Sequence, residues 1–140
     1  TMERITLCAN DEPSFRKIVD VLNTCFGKNY LGYQRSIWNI NSEEMAWFPQ
    51  ISLLGQDGYY STGSHGWINY TEDNWEHIFE ECHTVSSTCA HHDDHRVRYV
   101  FAKDKTGAYI FRGKYKCDES EPTSQKWIYE RVSTTATFTY

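Results

Sequence analysis

The sequence predicts an α+β domain: a curved, mostly antiparallel sheet or partly open barrel, with two helices that plug or cap it. Three observations carry this. Residues 96–118, RVRYVFAKDKTGAYIFRGKYKCD, alternate strongly. Val97, Tyr99 and Phe101 share one face of a first strand. Tyr109, Phe111, Gly113, Tyr115 and Cys117 share one face of a second, with Arg112, Lys114 and Lys116 on the other, which is the period of a half-buried sheet. Helical spacing of apolar residues is confined to two segments, 11–27 and 73–83. The strands crowd into the second half and are joined by short turns, as antiparallel neighbours are.

In chain order, residues 11–27 read as a helix because Phe15, Ile18, Val19, Leu22 and Phe26 form one stripe, with Asp11 offered as N-cap and Gly27 as the stop. Two apolar runs follow, Ile37 to Ile40 and Met45 to Phe48, with Asn41 and Ser42 as the turn of a hairpin. Gly55, Gly58, Gly63 and Gly66 then break the chain into loops, where Tyr59 and Tyr60 suit a brief edge strand. A second helix is predicted from Asp73 to about His83, on the stripe Trp75, Ile78, Phe79 and Cys82. Residues 84–95 are polar and aperiodic and read as a loop. Asp104 to Gly107 and Asp118 to Ser124 supply turns, and Lys126 to Val132 alternates as the last strand.

A chain of 140 residues reads as one domain over 1–140, burying about two-thirds of its unfolded surface. Five cysteines at irregular spacings and no apolar leader point to the cytoplasm. No run approaches the ~18 apolar residues of a membrane helix, so no membrane partner is expected. Thr1 ahead of Met2 reads as an added residue before a native start, which would leave the domain standing alone.

The formal charge of −5 disfavours a general nucleic-acid binder, because phosphate neutralisation needs a basic face. Any such reader must use a local patch. One exists: Arg96, Arg98, Lys103, Lys105, Arg112, Lys114 and Lys116 are seven of the fourteen Lys and Arg residues. Aromatics reach 16%, with five Trp and ten Tyr, and Trp38, Trp47, Phe48, Tyr59, Tyr60 and Trp67 crowd the middle third near Lys28, Arg35 and His65. Such rings either fill a core or stack on a flipped base while cations hold the flanking phosphates. Trp67, set between Gly66 and Asn69, is the ring that core packing explains least.

Cys82, Cys89, His91 and His95 form a competing constellation, with His83, His92, Asp93 and Asp94 beside them. Zinc accepts such ligands, and a His beside the two acids could serve a metal-dependent nuclease or hydrolase. The spacing C-x6-C-x-H matches no established finger, however. Cys82 also belongs to an apolar stripe. No nucleophile motif or phosphate loop is present, so the residues favour a binding domain over an enzyme, with no cofactor and no metal.

FGKNYLGYQRSIWNIN, AWFPQ, RVRYVFAKDKTGAYIFRGKYKCD and IYERVS, in that order, resemble short bacterial domains found alone or beside nuclease modules. These are similar to the PUA-like group, which includes the EVE, YTH and SRA domains that read modified bases. The resemblance implies a mostly antiparallel pseudobarrel with two or more flanking helices, binding without chemistry, and an aromatic pocket for a flipped or modified base. DNA or RNA is then the partner, in a restriction or RNA-metabolism setting, with a nuclease as partner or fused effector. The clustered rings and the cations themselves, rather than the resemblance, give Trp38, Trp47, Tyr60, Trp67, Arg35, Arg98, Arg112 and Lys114 as the expected contact residues. A protein-interaction module using the same aromatics is the remaining alternative.

Overall fold

The computed structural model of the chain describes residues 3–61, 66–83, 95–121 and 125–140. The order of elements is β1 (Arg4–Cys8), a 3-10 turn (Ala9–Asp11), β2 (Ser14–Phe15), α1 (Ile18–Cys25), β3 (Ile37–Asn39), β4 (Glu44–Trp47), β5 (Trp67–Tyr70), β6 (His77–Cys82), β7 (Val97–Lys103), β8 (Tyr109–Glu121), β9 (Lys126–Ser133) and β10 (Thr135–Thr139). The large sheet runs β3-β4-β7-β8-β9-β6-β5, with β2 added along β8, and β1 and β10 form a separate antiparallel pair. All pairings are antiparallel except β4 with β7, which is parallel, so the large sheet is mixed. It curls so far that Trp47 of β4 and Tyr129 of β9, with two strands between them in the order, bring their rings to 5.0 Å. It does not close into a barrel, since β3 and β5 remain its ends.

Two cores flank β7. Tyr99 and Phe101 enter the first, with Phe111, Phe48, the α1 residues Val21 and Leu22, Leu7 of β1 and Phe138 of β10. Val100 and Ala102 enter the second, with Trp47, Ile78, Cys82, Tyr115, Trp127 and Tyr129. A strand buried on both faces makes alternation a poor guide to inside and outside. Two expectations therefore fail. Arg98, expected on a solvated basic face, is 4% exposed, because its neighbours on that face are core residues. Tyr115 leaves Phe111 for the second core, because register shifts in β8 interrupt the alternation.

The second predicted helix is a turn followed by β6. Asn74 and Trp75 take left-handed φ values of 56° and 71°. The Thr71 hydroxyl accepts the Trp75 N–H at 3.0 Å and the Asp73 carboxylate accepts the His77 N–H at 2.9 Å. Such side-chain bonds divert the backbone from helix. From His77 onward the burial alternates, with Ile78, Glu80 and Cys82 turned inward, so an apparent helical stripe was the coincidence of a turn with a strand. The first helix is real but shorter than predicted. Glu12 is left-handed at φ 49°, and the Pro13 carbonyl accepts the Phe111 N–H at 2.9 Å, which hands residues 14–15 to the sheet. The Lys17 N–H, not Asp11, starts α1, donating to the Asp20 carboxylate at 3.1 Å. Gly27 stops it at φ 65°, as read. Among the described residues α1 is the one α-helix.

The hairpin of β3 and β4 matches expectation, with Asn41 Oδ1 accepting the Glu43 N–H at 2.8 Å in its turn. Tyr60 contributes only an isolated bridge to Leu54. Residues 49–52 span part of the open side of the sheet. The Lys103 N–H donates to the Pro49 carbonyl (2.8 Å), the Ile51 N–H to the Lys103 carbonyl (3.0 Å) and the Ser52 N–H to the Asn69 carbonyl (2.8 Å).

Gly113 sits in β8 at φ 123°, where a Cβ would lie 2.4 Å from the Ser133 carbonyl oxygen. Gly113→Ala is therefore expected to destabilise by more than ~1 kcal/mol, against a smaller loss for Gly58→Ala, which has open space around it. Thermal melts of the two variants check this.

Candidate nucleic-acid interface

The inner face of the curled sheet concentrates polar groups among rings. On β5, Trp67 and Asn69 lie opposite Cys82 and Glu80 of β6. Next come Trp127 and Tyr129 of β9, paired with Glu80 and Ile78. The curl brings Arg98 over both Trp47 and Tyr129, at 4.8 Å and 4.4 Å from the ring centres. Glu80 accepts the Tyr129 hydroxyl at 3.3 Å. Trp67 is half-buried and tilts against Trp127 at 5.8 Å.

Asn69, Glu80 and Arg98 are the buried polar residues of the described chain. Asn69 Oδ1 and Arg98 Nε have no hydrogen-bond partner among the described residues. An unpartnered buried polar atom costs ~1–3 kcal/mol, so one acceptor and one donor on the same aromatic-lined face call for an explanation. Burial pushes the Glu80 carboxyl up to about 7, against the opposing pull of Arg98 and the Tyr129 hydroxyl. Near neutral pH it can therefore either donate or accept. The backbone of Asn69 is held at both ends by Ser52, whose N–H bonds its carbonyl (2.8 Å) and whose hydroxyl accepts its N–H (3.3 Å). An acceptor, a donor and a group able to be either form a set that can match the mixed polar edge of a nucleobase.

The residues expected from sequence are dispersed over the fold. Trp47 is buried beneath Arg98 in the second core and Trp67 borders the same core, whereas Trp38 packs on Phe26 at 4.9 Å on the side of the first. The three tryptophans thus do not share one cavity. Tyr60 stacks on Tyr70 at 4.2 Å, and Tyr70 on Phe79 at 5.3 Å; Tyr70 and Phe79 point away from Glu80 and Cys82 on their strands. Arg35 is exposed. Arg112 pairs with Glu12 at 3.2 Å and covers Trp75 at 4.2 Å, while Lys114 lies 5.4 Å from the Tyr99 ring on the first-core side. Arg98, Arg112 and Lys114 therefore build no single basic face, again because β7 is covered on both sides and β8 is irregular.

Of the alternative metal set, Cys89 and His91 lie outside the described residues. Cys82 is disulfide-bonded, and His95 is exposed, 3.9 Å from Glu43. Sequence reasoning missed Asn69 and Glu80. The signal for Glu80 was present in Ile78-Glu80-Cys82, a carboxylate at an inward position of a strand, but the helical reading of 73–83 hid it.

A fold of this kind, with polar groups set into an aromatic inner face, is that of a nucleic-acid-binding domain of the PUA-like group. The model of the SET and RING associated (SRA) domain matches residues 1–138, and the chain belongs to that family, whose domains bind modified, flipped-out cytosine in DNA. Among solved structures it is similar to the 5-hydroxymethylcytosine-specific restriction enzyme AbaSI, with a TM-score of 0.70 and 24% identity over 96% of this chain. The chain spans 42% of the length of that enzyme. No curated protein matches.

Glu80 also sets a pH dependence. Its carboxyl is raised from 4.5 to about 7 on folding, so the folded state favours the protonated form. Its contribution to stability is fully present below pH 4.5 and lost as pH rises through about 7. The expected difference is ~3 kcal/mol. Glu80→Gln should flatten the stability profile across this window and be the more stable variant above it, as denaturant titrations at several pH values would read.

Proposed function

We propose that this chain reads a modified cytosine in DNA, flipped out of the duplex and laid against the inner face of the curled sheet. The observation that carries the reading is that two buried atoms of this face, Asn69 Oδ1 and Arg98 Nε, have no partner among the described residues and lie beside a carboxyl balanced near neutrality. A cytosine edge offers an N4 amino donor to Asn69 or Glu80, and its ring nitrogen and carbonyl accept from Arg98 or from protonated Glu80. Half-buried Trp67 is the ring placed to stack on the base, while Trp47 supports Arg98 from below. Arg35 and Lys114 are candidates for the flanking backbone.

Similarity to a 5-hydroxymethylcytosine-specific enzyme makes the 5-hydroxymethyl substituent the first to test. It also supports a reader working beside or fused to a nuclease, and we read residues 1–140 as one domain. The reading involves binding only, with no cofactor and no chemistry at this face.

Fluorescence anisotropy with duplexes carrying cytosine, 5-methylcytosine or 5-hydroxymethylcytosine at one position tests the reading. The wild type should prefer a modified duplex. Asn69→Ala should remove that preference while leaving binding to unmodified duplex nearly unchanged, and Trp67→Ala should cost ~1–3 kcal/mol on the modified duplex. Equal affinity of the wild type for all three duplexes would refute base reading here.

A further inference from the structure

A second concave site lies beside the inner face. It is a cleft of about 290 Å³ lined by residues 50–53, Ser61 and the turn between β7 and β8, including Lys103, Asp104, Lys105 and Gly107. Its chemistry is that of donors. The Ser52 oxygen accepts the Asn69 N–H at 3.3 Å and the Ser61 oxygen accepts the Leu53 N–H at 3.1 Å. With both oxygens engaged as acceptors, each O–H hydrogen is left to be given, and neither donates to a described residue. Lys103 and Lys105 both line the cleft, the Lys103 ammonium lying 5.8 Å from the Tyr109 ring centre, and the Gln50 amide adds further donors.

Asp104, the anion of the wall, is bonded within its own loop through one oxygen. Its Oδ1 accepts the Thr106 N–H at 2.9 Å and the Thr106 hydroxyl at 2.5 Å. Two lysines against one aspartate leave the lining with a net positive charge, and its hydroxyls and amide offer hydrogens beside the apolar Ile51 and Leu53, as a group with several acceptor oxygens and a negative charge requires.

The cleft is also joined to the base-reading face. Ser52 bonds the backbone of Asn69 while its side chain lines the cleft, and neighbouring Ile51 packs against the second core. We propose that this cleft holds a DNA phosphodiester next to the flipped nucleotide, with Ser52 setting the distance between the phosphate and the base; the proposal rests on the base-reading function above. The phosphate is recognised as a backbone group, independent of sequence and of cytosine modification. A free nucleotide shares the same phosphate chemistry and is the competing source.

The test combines protein and DNA changes. Lys103→Gln with Lys105→Gln should weaken modified and unmodified duplexes by the same factor and flatten the slope of log affinity against log salt by about 1. The Lys→Arg pair at the same positions should restore the slope. In the modified duplex, a neutral methylphosphonate at a phosphate flanking the modified base should cause the same loss, and the loss should not add to that of the Lys→Gln pair. An unchanged slope, additive losses, or a loss confined to the modified duplex overturns the proposal.

Deoxycytidine monophosphate is the probe for the other source. If it displaces no duplex, the backbone assignment stands; if it binds tightly at the cleft and duplex affinity ignores the lysines, the cleft belongs to free nucleotides and the proposal fails. A wild type without base preference, but with the lysine and methylphosphonate effects intact, would remove base reading and leave the phosphate cleft. Intact preference without those effects would do the reverse.

Discussion

Burial of β7 on both faces is the constraint on which the rest of the molecule depends. Tyr99 and Phe101 must be covered by one set of elements, and Val100 and Ala102 by another. The first set is α1 with the β1-β10 pair, which supply Val21, Leu22, Leu7 and Phe138. The second is the sheet itself, curled until β6 and β9 bring Ile78 and Tyr129 over β7. The two demands on β8, which must serve both cores, are met by its register shifts and by Gly113, where the Ser133 carbonyl leaves no room for a side chain. The curl that closes the second core is thus also what makes the concave face on which Asn69, Glu80 and Arg98 converge.

Arg98 shows why that face is more than packing. Taking a guanidinium out of water costs several kcal/mol, whereas a ring face returns ~0.5–2 kcal/mol. Trp47 and Tyr129 together therefore offset the cost in part. Glu80 is the charged neighbour able to supply more, yet its own burial favours the neutral form, which weakens the attraction when Arg98 would need it. The pair is poised between a costly buried ion pair and a costly lone cation. An incoming polar edge that accepts from Arg98 would relieve both, which is what the proposed base reading asks of this face.

The sequence made the fold legible where one period ruled and illegible where two structures shared a segment. The hairpin at 37–47, the late strands and the Gly27 stop could be read because each rests on local turn chemistry or simple alternation. The outer pair β1-β10 has no such signal: TATFT and RITLC are short, and their pairing is set by the first core that they cover. The turn at 71–76 is carried by Thr71 and Asp73 side chains, whose bonds to the backbone mimic a helix start in sequence. Base binding and family kinship were legible in the aromatic and basic segments. The polar set was not, since Asn69 lies in a glycine-broken stretch and Glu80 in a segment read with the wrong period. The first core claims Trp38 and the second Trp47, so aromatic abundance pointed to a site without locating it.

The β1-β10 pair bears on how the chain reaches this state. The hydroxyls of Thr6 and Thr137 meet at 3.0 Å across a separation of 131 residues, and β4 joins β7 from about fifty residues away. Closing such loops before any contact rewards them makes folding slow. During synthesis, Phe101 and Phe111 lack the cover of Phe138 until the final strand has left the ribosome. From the synthesis of β7 until β10 emerges, a nascent chain therefore carries an open aromatic surface, and chaperone engagement in that interval becomes part of how much of the reader a cell obtains.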